Sequence, residues 1–171
     1  MDITRNKEMQ REIEYLSYHD QLTGMYNRRY YEETLNRLEK EGSLPLSVVM
    51  LDVNGLKLAN DVYGHQTGDQ LLRRMAQVLA DVCDQREICA RIGGDEFVIL
   101  LPEQDAAAAK VLEEKLLKAM AADDESPIPL LAAVGCATKT HDRQDVLEVL
   151  HQAEKRMYQH KFNQRQYVEG Q

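Results

Sequence analysis

Asp95 and Glu96 stand side by side after Gly93 and Gly94, in the run Arg-Ile-Gly-Gly-Asp-Glu-Phe at residues 91–97. Two adjacent carboxylates crowd negative charge, and two glycines leave the backbone open to a close ligand. A metal ion with a phosphate substrate would satisfy both features. The flanking runs, Ile88-Cys89-Ala90-Arg91-Ile92 and Phe97-Val98-Ile99-Leu100-Leu101, are apolar and β-rich. Glycines between such runs predict a tight hairpin with positive φ at its tip. Taken alone, the same tip reads equally well as a solvated turn.

A third carboxylate interrupts an apolar strand. Leu46 to Val53 is rich in β-branched residues and predicts a buried strand. Alternation puts Val48, Met50 and Asp52 on one face and Val49, Leu51 and Val53 on the other. Burying Asp52 without a partner is costly, so it needs a cation, a metal or several hydrogen bonds. A salt bridge to Lys57 or a helix cap would serve; so would a metal facing the hairpin carboxylates.

Asn54-Gly55-Leu56-Lys57 turns the chain from this strand into a helix. Free N–H groups at a helix start attract phosphate, and Lys57 adds positive charge there. Asn60, His65 and Asp69 follow on the same connection. An amide with a carboxylate can read guanine: the amide meets O6 or N7, and the carboxylate accepts from N1–H and the 2-amino group. Adenine offers no matching donor pair. Taken singly, Asn60 and Asp69 each fit a helix cap better than a base contact. Lys161 and Arg165 lie four apart on one face at the end of the last helix. Helix-dipole effects alone favour cations there; a phosphate clamp requires that this helix end reach the hairpin.

The elements that must carry these residues follow from periodicity. Residues 1–18 predict a charged helix with a narrow stripe, Met9, Ile13 and Leu16, suited to a two-stranded coiled coil or a docking helix. It is expected to be the end of a longer connector, with the globular domain at 19–171. Helices are expected at 27–41, 57–62, 67–83, 104–122 and 142–163, strands at 46–53, either side of Gly93-Gly94 and at 129–138, and a closing strand at Tyr167-Val168. This order indicates an α/β (α+β) sandwich, one mainly antiparallel sheet with helices packed on its faces.

Composition narrows the classes. The chain has 171 residues and a formal net charge of −8, with no basic run interleaved with aromatics, which argues against nucleic-acid binding. No stretch approaches the roughly 20 apolar residues of a membrane span, and no signal-peptide pattern opens the chain. Cys83, Cys89 and Cys136 form no C-x-x-C pair or zinc spacing and read as buried or half-buried thiols of a cytosolic protein. A cytoplasmic location is expected, with tethering through another part of a longer protein left open, and no membrane contact by this domain.

Several blocks together resemble a known family, the GGDEF domains, diguanylate cyclases of bacterial signalling. Asp20-Gln-Leu-Thr-Gly-Met-Tyr-Asn-Arg-Arg29 resembles the opening motif. Leu51-Asp-Val-Asn-Gly-Leu-Lys57, Asn60-Asp61, Gly64-His65 and Gly68-Asp69 resemble the metal and guanine block. The signature hairpin is intact, Ala153 to Arg165 resembles the closing helix, and the likeness covers about residues 16–168.

The resemblance implies a nucleotidyl-cyclase-like fold with a ferredoxin-like core. It implies condensation of two GTP into cyclic di-GMP by a homodimer holding one GTP per subunit, with Mg²⁺ or Mn²⁺ as cofactor and an upstream sensor as partner. By position, Asp52, the Val53 carbonyl and Asp95 would ligate metal. Glu96 would assist metal binding or deprotonate the 3′-hydroxyl, so Asp95 and Glu96 are the expected catalytic pair. Asn60 and Asp69 would read guanine with His65 nearby, while Lys57, Lys161 and Arg165 would hold the triphosphate at the Gly93-Gly94 tip. A catalytically silent GTP-binding or interaction module is the rival reading, although silent members usually have a broken hairpin motif.

The chain also departs from the family pattern. Asn54 stands where many members carry a second Asp, and Leu56 where Phe is frequent. Gln164 and Gln166 replace the Gly and Asn that usually flank the closing Arg. Product-inhibited members carry Arg-x-x-Asp before the hairpin; here the four residues are Asp84-Gln85-Arg86-Glu87, and no inhibitory product site is expected.

Overall fold

One strand, buried on both faces, divides the molecule into two helical layers. In β1 (Leu46–Val53), Val49, Leu51 and Val53 pack into a core with Leu71, Met75 and Leu79 of α4 (His65–Val82) and Leu112, Leu116 and Met120 of α5 (Ala106–Ala122). The opposite face of β1 meets the other layer. Val48 joins Tyr31, Leu35 and Leu38 of α2 (Arg28–Lys40), and Met50 packs against Val149 and Ala153 of α6 (Val146–Glu169). The computed structural model describes residues 2–124 and 128–169.

The sheet is completed by β2 (Ile88–Arg91), β3 (Glu96–Pro102) and β4 (Ala132–Lys139), in the order β2-β3-β1-β4. Every neighbouring pair is antiparallel. The chain leaves β1 through α3 (Leu56–Tyr63) and α4, skips one position to β2, and returns by the hairpin to fill the gap with β3. A second crossover through α5 places β4 on the far side of β1. This is the split β-α-β arrangement of a ferredoxin-like core, as expected.

Local chemistry sets the element ends. The Asn27 side chain accepts from the Tyr30 N–H at 3.1 Å and starts α2, and the Asp105 carboxylate accepts from Ala108 at 2.9 Å and starts α5. Gly55, at φ 75°, begins α3 in a left-handed conformation that side chains rarely adopt. Gly135 has another reason. A Cβ there would lie 2.2 Å from the Ala153 carbonyl oxygen and the Met157 nitrogen, so α6 rests its backbone directly on β4.

Two regions qualify the sequence reading. The closing strand expected at Tyr167-Val168 does not form, because α6 continues unbroken through Glu169. No glycine or proline interrupts 146–169 to stop it. The N-terminal helix α1 (Ile3–Tyr18) forms, and none of its residues is buried. Its predicted stripe, Met9, Ile13 and Leu16, faces solvent together with Ile3. Among the described residues no helix is long and apolar enough to cross a membrane.

Candidate active site

Asp52 and Glu96 are direct cross-strand partners in the β1–β3 register, so both side chains project from the sheet face that α6 covers. Like charges placed opposite one another repel. Asp95 adds a third carboxylate, its main chain fixed by a 2.8 Å hydrogen bond from the Val53 N–H to its carbonyl. Burial pushes the Asp95 carboxyl above its ordinary range, and the nearby Asp52 charge adds to the effect. Burial, then Asp52 and Asp95, raises Glu96 in the same way. The cluster carries more negative charge than its surroundings neutralise.

One cation already meets it. Lys161 Nζ lies 2.9 Å from Asp52 Oδ2, reaching in from α6. Asp52 is only 6% exposed, and its Oδ1 is buried without a hydrogen-bond partner. The salt bridge considered from sequence therefore comes from Lys161 and not from Lys57. Close seating of α6 on Gly135 is what carries Lys161 to this position.

A cleft of about 820 Å³ opens beside these groups. Its walls include Val53, Asn54, Gly55, Lys57 and Asp95 from the β1 and hairpin side, and Lys161, Gln164 and Arg165 from α6. The end of the last helix thus reaches the hairpin, the condition that periodicity left open. Lys57 and Arg165 are exposed on the cleft wall. Three cations and one carboxylate of the cluster, Asp95, line this one space.

The hairpin itself differs from expectation in one respect. Neither Gly93 nor Gly94 has positive φ; that conformation belongs to Gly24, Gly42, Gly55 and Gly64. The connection closes instead with Ile92 and Gly93 N–H groups both directed at the Glu96 carbonyl, at 3.0 and 3.4 Å. What glycine supplies is space: a Cβ on Gly94 would meet nothing within 4 Å, and one on Gly93 would only touch the Glu96 side chain at 3.5 Å.

Asn60, His65 and Asp69 lie apart from the cleft walls, along α3 and the first turns of α4. Asn60 and Asp69 sit inside their helices and not at the caps; Gly55 and Gly64 occupy those positions. Asn60 Oδ1 is buried without a partner. It points at Gly68, where an added Cβ would fall 1.8 Å from it, which brings Asn60 beside the residue preceding Asp69. His65 is exposed at the start of α4. Asp84 and Arg86 pair with each other at 3.0 Å on the exposed turn between α4 and β2.

Sequence reasoning missed three contributors. Arg91 bridges Asp20 and the Gly94 carbonyl. Gln164 holds Asn54. Gly68 makes room for Asn60. Arg91 and Asp20 both stand in recognised motifs, so pairing a cation of one with an anion of the other was within reach; the other two depend on contacts between helices.

The sequence and the fold have counterparts among known proteins. Residues 17–167 match the family described as "Diguanylate cyclase, GGDEF domain". The signaling protein YkoW of Bacillus subtilis is 34% identical over 167 residues, covering 92% of this chain and 21% of that protein. The bifunctional diguanylate cyclase/cyclic di-GMP phosphodiesterase MucR of Pseudomonas aeruginosa is 32% identical over 154 residues, covering 86% and 22%. The chain thus spans about a fifth of the length of these curated relatives. The structure of the coiled coil and GGDEF domain of DgcB from Caulobacter crescentus, in complex with c-di-GMP, superposes with a TM-score of 0.86 at 24% identity, covering 94% of this chain and 89% of that one. A family match running from the end of α1 almost to the end of α6, with the same fold beneath it, leads to one conclusion: this chain belongs to the GGDEF-domain family of diguanylate cyclases.

Proposed function

We propose that this domain condenses two GTP molecules into cyclic di-GMP and releases two pyrophosphates, acting as a homodimer with one GTP per subunit. The observation that carries the reading is the cleft that Asp95 lines together with Lys57, Lys161 and Arg165, next in sequence to the exposed Gly93-Gly94 tip. Anionic and cationic groups lining one cleft suit a metal-bound triphosphate.

The residues fit a divalent cation. Asp52 has a buried oxygen without a partner, and the raised carboxyls of Asp95 and Glu96 mark unneutralised charge. Among the described residues no three His, Cys, Asp or Glu side chains form a metal cage. Two carboxylates and the Val53 carbonyl would instead leave coordination sites for phosphate oxygens, the mode Mg²⁺ favours. When bound, Mg²⁺ or Mn²⁺ would orient the phosphates and lower the pKa of the attacking hydroxyl.

The protein's own groups do the rest. Lys57, Lys161 and Arg165 neutralise the triphosphate as charge shifts toward the leaving pyrophosphate. Asn60 and Asp69 select guanine by its N1–H, 2-amino and O6 pattern, with His65 nearby. Glu96, raised above an ordinary carboxyl, is suited to take the 3′-hydroxyl proton. Each 3′-oxygen bonds to the α-phosphorus of the nucleotide in the other subunit as the bond to pyrophosphate breaks. Two such transfers close the ring. The exposed stripe on α1 would serve as the connector that brings two copies together in the cytoplasm under an upstream sensor.

Incubating the domain at high concentration with GTP and Mg²⁺, with ATP in parallel, tests this. Cyclic di-GMP from GTP alone is the expected product. A silent GTP-binding module is the second reading, favoured by one observation: Lys161 already neutralises Asp52. Asp95→Ala and Glu96→Ala separate the two, since an enzyme loses turnover while a silent module keeps its output.

A further inference from the structure

Two of the chain's departures from the family pattern touch each other. Asn54 Nδ2 donates to Gln164 Oε1 at 2.8 Å. Gln164 Nε2 donates onward to the Ala132 carbonyl at 3.3 Å and lies 3.4 Å from His160 Nε2. His160 Nδ1 accepts from the Val134 N–H at 2.9 Å, and the Asn54 N–H donates to the Leu131 carbonyl at 2.8 Å. The turn after β1, the approach to β4 and the last turns of α6 are thereby joined. A glycine at position 164 would lack any group to reach Asn54. A carboxylate at position 54 would add negative charge to a cleft that Lys57 and Arg165 also line.

The turn has need of a restraint. Gly55 starts α3 at φ 75°, and no side chain caps the first N–H groups of that helix. Glycine loses more conformational freedom on ordering than any other residue, so a turn centred on it is costly to hold still. A turn fixed before a ligand arrives spares the ligand that cost.

We infer that Gln164 is a positioning residue for the triphosphate half of the cleft. Its amide holds Asn54, and with it the Asn54-Gly55 turn, against α6. The spacing between the start of α3 with Lys57 and the α6 cations Lys161 and Arg165 is set by that bond. The inference rests on the nucleotide reading of the cleft and names the residue that tunes its phosphate end.

The test compares wild type, Gln164→Ala, Asn54→Ala and the double variant. Backbone hydrogen exchange at residues 54–57 is measured without nucleotide, and affinities for Mg²⁺–GTPγS and for guanosine by calorimetry. Gln164→Ala is expected to speed exchange at 54–57 and weaken GTPγS binding by about three- to tenfold, the worth of one hydrogen bond. Guanosine affinity stays unchanged, and the double variant is no worse than either single one. Gln164→Glu, which keeps the acceptor for Asn54, restores slow exchange. Unchanged exchange in Gln164→Ala, an equal loss for guanosine and GTPγS, or additive losses in the double variant would overturn the inference. If wild type binds no GTPγS while exchange behaves as expected, the nucleotide reading fails and this inference falls with it.

Discussion

Arg91, at the end of β2, donates to both carboxylate oxygens of Asp20 at 3.1 Å, and its other terminal nitrogen donates to the Gly94 carbonyl at 2.9 Å. One guanidinium thus ties the chain leaving α1 to the hairpin tip across 71 positions of sequence. The side chains are only 16% and 21% exposed. Burial alone would raise the Asp20 carboxyl, but hydrogen bonds from Thr23 and Arg91 outweigh it and hold that carboxyl below its ordinary range.

Asp20→Asn should therefore destabilise the domain by about 1–3 kcal/mol at neutral pH, the cost of weakening charged hydrogen bonds in a half-buried place. The sign of the pH dependence is fixed. A carboxyl with a lowered folded pKa contributes stability above its unfolded value of about 3.9, and loses it as pH falls through the folded one. Urea unfolding of both proteins should give a constant difference from pH 5 to 8, by this linkage, and a shrinking one below about pH 4.

Glu96→Gln should trade function for stability. It removes the like charge directly opposite Asp52, a relief worth about 0.2–1 kcal/mol. Calorimetry in the presence of a chelator should show a higher Tm than wild type, while cyclic di-GMP formation disappears. A lower Tm would mean that Glu96 is already neutralised in the metal-free protein.

Gly68→Ala places a Cβ on the Asn60 side chain, 1.8 Å from its oxygen, and so must turn the Asn60 amide away. KM for GTP is expected to rise about tenfold, a loss of ~1.4 kcal/mol, with preference over ATP narrowed. Because the damage passes through one side chain, Asn60→Ala combined with Gly68→Ala should be no worse than Asn60→Ala alone.

Gly135→Ala forces α6 away from β4, since the backbone of Ala153 and Met157 leaves no room for a Cβ. Overpacking of this kind costs about 1–3 kcal/mol. The same displacement withdraws Lys161 from Asp52, so urea stability and GTPγS affinity should fall together.

How much of this was legible beforehand depends on range along the chain. Strict alternation in 46–53 put Asp52 on the Val48–Met50 face, and the structure agrees, because side-chain direction in a strand is a local property. The Gly-Gly hairpin was legible for the same reason, although its closure around the Glu96 carbonyl, without positive φ at Gly93 or Gly94, was not. The partner of Asp52 was out of reach: Lys161 is 109 positions away, and its arrival depends on a helix seated on Gly135. Asn54 and Gln164, 110 apart, are invisible to any pattern of spacing. The expected closing strand failed because two β-prone residues cannot outweigh an uninterrupted helix.

Both rims of the sheet are occupied at points where another strand would otherwise bind. Beside β2, Tyr26 bridges to Ala90, and its carbonyl takes the Arg91 N–H at 2.9 Å. Beside β4, the His160 ring takes the Val134 N–H. An incoming chain seeking to extend the sheet would first have to expel a tyrosine segment or a histidine ring. Strand-on-strand stacking of the sheet is thereby opposed at both edges, while the Gly93-Gly94 tip between β2 and β3 stays exposed.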